Sequence, residues 1–150
     1  MLSRRVLVLP ALVVILAACS GNGSGSSPAG ASEPASSAAA TRIEVELSDS
    51  LKITPNPMAV PAGVPVTFVV HNGGSIEHEF VLGDEATQAE HEMEMAEGGM
   101  DHDEENAISV DPGATKELTF TFDEAGETFA GCHVPGHYPA GMKATITVGS

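Results

Sequence analysis

From Ile43 onward the chain is cut into short alternating or β-branched runs, each closed by turn residues. This pattern restricts the fold more than any other feature of the sequence. Ile43-Glu44-Val45-Glu46-Leu47 alternates apolar and polar residues with period two. Residues 64–70 repeat the alternation, with Val66, Phe68 and Val70 on one face. His71 falls with Thr67 and Val69 on the other face, which suits a structural role. Residues 76–82, 107–110, 117–122, 128–132 and 143–148 read as further strands. The breaks are Pro55-Asn56-Pro57, Pro61-Ala62-Gly63, Asn72-Gly73-Gly74 and Asp111-Pro112-Gly113. Seven to eight short strands predict an all-β domain over residues 42–150, an antiparallel Greek-key β-sandwich. Phe80 and Phe129 are expected to fill its core. No internal repeat is visible, and the length excludes a multidomain enzyme.

One stretch breaks the pattern. Residues 83–106 are too long for a plain connection in so small a domain. Asp84 to Glu97 consists of good helix formers and stops at Gly98-Gly99, so the insertion is expected to carry a short helix. Ten of the 21 acidic residues lie in it, with no Lys or Arg. It also holds His91, Met93, Met95, Met100 and His102. On a helix His91 and Met95 share a face, being four residues apart.

The N-terminus reads as an address. Arg4 and Arg5 precede an apolar run from Val6 to Ala18, too short to span a bilayer comfortably and suited to a signal-peptide core. The run ends in Leu16-Ala17-Ala18-Cys19, which resembles the bacterial lipoprotein box, where cleavage leaves a lipidated Cys at the new N-terminus. Ser20 to Ala40 is almost wholly Gly, Ser, Ala and Pro and cannot bury enough apolar surface to order itself. The expected organisation is a signal peptide at 1–18, a lipidated Cys19 with a flexible tether at 19–41, and a folded domain at 42–150. Such a protein is exported and held on the outer face of a bacterial membrane. Removing residues 1–18 takes away two arginines and no acid, moving the net charge from −15 to −17. So acidic a surface repels phosphate and excludes nucleic-acid binding.

With Cys19 assigned to the anchor, Cys132 is a lone thiol in an exported chain and needs a chemical reason. It stands in Cys132-x4-His137-x4-Met142, on a loop between two strands. A thiolate, an imidazole and a thioether form a soft donor set that suits copper. One more imidazole completes a trigonal site with a weak axial Met, and His78, early in the strand 76–82, is the candidate. A Met donor argues against zinc. His133 follows Cys132 directly and should point the other way along the chain, as a packing or surface residue.

These residues resemble the cupredoxins, the type-1 blue copper proteins that include plastocyanin, azurin and rusticyanin. The resemblance spans about Ile43 to Val148. It rests on the approach from Asn72 to His78, on Gly126-Glu127-Thr128-Phe129 leading to the Cys, and on the Cys132–Met142 loop. It implies one copper per chain, bound by His78, Cys132 and His137 with Met142 axial. It also implies that the His137 edge meets redox protein partners at an uncharged patch around Pro135, Tyr138 and Pro139. The loop is similar to that of multicopper oxidases too, but Gly131 stands where those enzymes place a second His. A binuclear copper site needs two Cys and only Cys132 is available. The expected function is therefore single-electron transfer by a monomer, not catalysis. His91-Glu92-Met93 and Met100-Asp101-His102 are similar to the His/Met pairs of periplasmic copper carriers. Residues 83–106 thus read either as an acidic cover for the sheet edge or as a secondary Cu(I) site for acquisition, delivery or buffering.

Overall fold

A computed structural model describes residues 41–98 and 103–150. The described residues form nine strands and one helix: β1 Thr41–Ser48, β2 Lys52–Thr54, β3 Met58–Pro61, β4 Pro65–Asn72, β5 His78–Gly83, α1 Glu85–Ala96, β6 Ala107–Val110, β7 Thr115–Thr121, β8 Gly126–Gly131 and β9 Lys143–Gly149. They make two sheets, ordered β2-β1-β4-β7 and β3-β9-β8-β5-β6. The sandwich is as expected, but it is not wholly antiparallel. β1 runs parallel to β4, and β3 runs parallel to β9. β2 and β3, which flank the Pro55-Asn56-Pro57 break, are too short to show a periodicity in sequence.

The alternation sets which side chains meet. Val45 and Leu47 from β1, and Val66, Phe68 and Val70 from β4, face Phe80 and Leu82 from β5 and Ala144, Ile146 and Val148 from β9. Phe68 lies 5.4 Å from Phe80 and 6.3 Å from Phe122, ring centre to ring centre, in tilted and edge-on pairs. Each such ring contributes roughly 1.5–3 kcal/mol by leaving water. Phe129 departs from expectation. It is only half-buried and sits on the outer face beside Glu127 and the start of α1. Its neighbour Ala130 takes the inward position, because successive side chains alternate.

The helix forms where expected. Asp84 caps it, its carboxylate accepting from the Thr87 N–H and hydroxyl at 2.9 Å. Only Gln88 and His91 of the helix are buried, and they seat it on β5 and β8. Cover on that outer face explains why β5 is buried at five successive positions instead of alternating. The turn before β5 is organised by Asn72, fully buried at the end of β4. Its amide nitrogen donates to the carbonyls of Ile76 and Val110 at 2.8 Å, and its side-chain oxygen accepts from the Gly74 N–H at 2.9 Å. Those bonds carry the chain from one sheet to the other, so the strand expected from Ile76 begins only at His78.

Candidate metal centre

His78 opens β5, and Cys132 directly follows β8. The loop from Cys132 to Met142 then folds back on itself. The Cys132 N–H donates to the Met142 carbonyl at 3.1 Å, the Met142 N–H to the His137 carbonyl at 3.0 Å, and the His137 N–H to the Val134 carbonyl at 2.9 Å. These bonds place three donors at one end of the sandwich. Cys132 Sγ lies 3.7 Å from His78 Nδ1 and 3.4 Å from His137 Nδ1. One ligand atom from each of the three residues lies within 4.8 Å of the others. The two imidazole rings are 5.1 Å apart and tilted by 48°. Cys132, His78 and Met142 are fully buried, and His137 is half-buried. Met142 belongs to the same apolar cluster as Cys132.

The electrostatics suit a soft cation. Burial pushes the Cys132 thiol up to about 11, against the opposing pull of backbone N–H groups from Glu79 and Val134. Burial holds His78 below the ordinary histidine value, and repulsion from His137 adds to this. Without metal the donors are therefore a neutral thiol and at least one neutral imidazole, and loading has to displace the thiol proton. Two ring nitrogens aimed at one sulfur, in a pocket without water access at Cys132, fit a copper ion held by His78, Cys132 and His137. His78 Nε2, on the outer side of its ring, faces Asp49 Oδ1 at 3.5 Å. Hydrogen bonds from the Ser75 hydroxyl and N–H hold that carboxyl below the usual carboxylate range.

The sequence family described as "Copper binding proteins, plastocyanin/azurin family" matches residues 39–149. The chain belongs to that family. It is 37% identical to the copper-resistant cuproprotein CopI of Pseudomonas aeruginosa, with 99% of each chain covered. It is 40% identical to the CopI of Rubrivivax gelatinosus, over 77% of this chain and 71% of that one. Among solved structures it resembles the reduced auracyanin of Roseiflexus castenholzii, with a TM-score of 0.66 and 27% identity over 75% of this chain and 99% of that one. The cupredoxin resemblance read from the sequence is thereby shown, and copper is the cofactor.

Within this cupredoxin, His133 proves to be a packing residue with assigned neighbours. It is buried, its Nε2 lies 2.7 Å from Gln88 Oε1, and its Nδ1 lies 2.7 Å from Glu92 Oε2. The Gln88 amide nitrogen donates in turn to the Val81 carbonyl at 2.9 Å. Glu79 is buried beneath the helix, its Oε2 accepting from the His133 N–H at 3.2 Å. Sequence reasoning missed Glu79, Gln88 and Glu92. The available signal was a carboxylate inside the otherwise apolar run after His78, together with Gln88, His91 and Glu92 on one side of a helix. Gly131 also gains a reason. A Cβ there would overlap Gln88 and Tyr138, so the second His of an oxidase cluster has no room at that position.

The other candidate residues divide. Pro135 and Pro139 are exposed near His137. Tyr138 is half-buried, its ring stacked on His133 at 4.4 Å and 19°, with Lys143 Nζ 5.3 Å from its centre. It therefore serves the helix side more than an outward patch. His91 is buried, its Nε2 3.6 Å from Glu79 Oε1 and its ring 5.0 Å from His133. Met93 is exposed and Met95 half-buried, so the helix does not bring the three to one point. Met100, His102, Cys19 and the whole of 1–40 lie outside the described residues. His71 is structural, its Nδ1 3.1 Å from both the Ala114 carbonyl and the Thr115 hydroxyl.

Proposed function

We propose that this chain is an extracytoplasmic copper protein, tethered to a bacterial membrane through Cys19, whose buried centre passes single electrons. The observation that carries this reading is the preformed convergence of His78, Cys132 and His137, the first two fully buried and the third half-buried. Copper bound there supplies a one-electron Cu(II)/Cu(I) couple. The protein's part is to keep the donors still: Cys132 and Met142 are joined through their backbones, and Glu79 N–H donates to the sulfur. Small ligand movement lowers the reorganisation that accompanies each electron. Copper held by His78, Cys132, His137 and Met142 together would have no open position for a substrate, which supports a carrier and not an enzyme. Half-exposed His137, beside Pro135 and Pro139, is the edge at which a redox partner would dock, with Tyr138 at its inner margin. The N-terminal run and Cys19 support the anchor. Among the described residues, no helix is long and apolar enough to cross a membrane.

A second reading rests on the relatives. CopI proteins are named for copper resistance, and the Pseudomonas aeruginosa match takes in almost the whole of this chain. On that reading residues 83–106 recruit copper and the buried centre is the redox partner or store. Replacing His91, Met93, Met95, Met100 and His102 together separates the two. A lost Cu(I) site in chelator-competition titrations, with the spectrum of the loaded centre unchanged, supports copper handling. Identical isotherms and loading rates leave the carrier role alone. Membrane fractionation of Cys19→Ala tests the tether: processed protein that stays on the membrane would remove the lipid anchor.

A further inference from the structure

The buried ligand candidate His78 has a second nitrogen that no hydrogen bond of ordinary geometry satisfies. Nδ1 faces Cys132, so Nε2 points away from the metal pocket. The group it meets is the carboxylate of Asp49, in the turn after β1, at 3.5 Å. This carboxylate is held in place. Ser75 donates to it three times, from its N–H to Oδ1 and Oδ2 at 2.9 Å and from its hydroxyl to Oδ2 at 2.7 Å. Gly74 makes room for the arrangement, since a Cβ there would overlap Asp49 Oδ1. The turn that delivers His78 to the site thus also clamps an anion behind it.

We propose that Asp49 is a positioning residue for the copper centre, orienting His78 and biasing the site towards Cu(II). A carboxylate behind the ring favours the proton on Nε2 and leaves the Nδ1 lone pair for the metal. At 3.5 Å the contact is longer than an ordinary N–H···O bond, so it acts mainly through charge. A fixed negative charge makes the imidazole a stronger donor and stabilises the more positive oxidation state. It therefore lowers the reduction potential. Asp49 lies 29 positions before His78 in a different turn, and nothing in the spacing links the two.

This inference rests on His78 being a copper ligand, and the test separates the two ideas. In the full chain loaded with copper, Asp49→Asn keeps the shape of the clamp and removes its charge. The expected result is an intact coloured site with roughly tenfold weaker Cu(II) binding and little change for Cu(I), an upward potential shift of about 59 mV. Ser75→Ala loosens the clamp but keeps the charge, and should shift the potential less than half as far. An unmoved potential in coloured Asp49→Asn, or an equal shift in Ser75→Ala, would overturn the role of Asp49. A wild type that binds copper without a thiolate charge-transfer band would instead remove the reading of His78, Cys132 and His137 as the copper ligands, on which the role of Asp49 rests. Should Asp49→Asn fail to fold, nitrogen NMR of the metal-free wild type decides the matter, since a copper-bound Nδ1 carries no proton whatever Asp49 does. The His78 proton should sit on Nε2, and a proton on Nδ1 would refute the assignment.

Discussion

The backbone N–H of Glu79 donates to the sulfur of Cys132 at 3.3 Å. The same residue's carboxylate accepts from the N–H of the next residue along, His133, at 3.2 Å. One position after His78 therefore grips both sides of the Cys strand end: the copper side through its backbone and the helix side through its side chain. The metal pocket and the helix-covered face are two sides of one peptide segment.

Cys132→Ser should abolish the intense visible colour of the Cu(II)-loaded protein, because only a thiolate supplies the charge-transfer band. Absorption spectroscopy after copper addition checks this. Colour persisting in the variant would show that the sulfur is not a ligand.

Met142→Leu should keep both copper and colour, since a buried side chain of similar volume replaces another. Its potential should rise, because a weak donor to Cu(II) is removed. His78→Ala and His137→Ala should lose copper affinity far more. Voltammetry of the three proteins distinguishes an axial Met from one that only fills the core.

Gln88→Ala should destabilise the domain by about 1–3 kcal/mol in urea unfolding. The Val81 carbonyl and one nitrogen of His133, both on the buried side of the helix, lose their Gln88 contacts. The colour of the loaded centre should survive, since no proposed ligand is touched. Unchanged unfolding would mean that the helix does not depend on this seat.

The metal-free protein should be most stable between about pH 6.5 and 8.5. His78 is held below its ordinary value by burial, so the unfolded chain binds more protons and stability falls as pH drops below about 6.5. The Cys132 thiol is raised by burial to about 11, so above about 8.5 the unfolded chain ionises first. Stability should then fall by about 1.4 kcal/mol per pH unit until the native thiol itself titrates. Cys132→Ala should flatten the alkaline limb, as measured by unfolding across pH.

The two-layer β architecture was legible because period two and turn chemistry are local properties. Val66, Phe68 and Val70 point inward wherever their strand is placed. The meeting of His78, Cys132 and His137 was legible too, as Cys132 and His137 lie on one short loop and His78 follows just after a turn. The parallel pairing of β1 with β4 was not, because strand direction within a sheet depends on how connections cross between layers. Phe129 was misplaced for a similar reason: which face of β8 is the core depends on the sheet opposite, and here the apolar ring took the outer side beside α1. Composition identified 83–106 as acidic and helical, but only the tertiary structure turned Gln88, His91 and Glu92 inward onto His133 and Glu79. The contact between Asp49 and His78 also belongs to the tertiary structure. Charges far apart in the chain interact only where the fold brings them together, and Coulomb forces leave no periodicity in a sequence to be read.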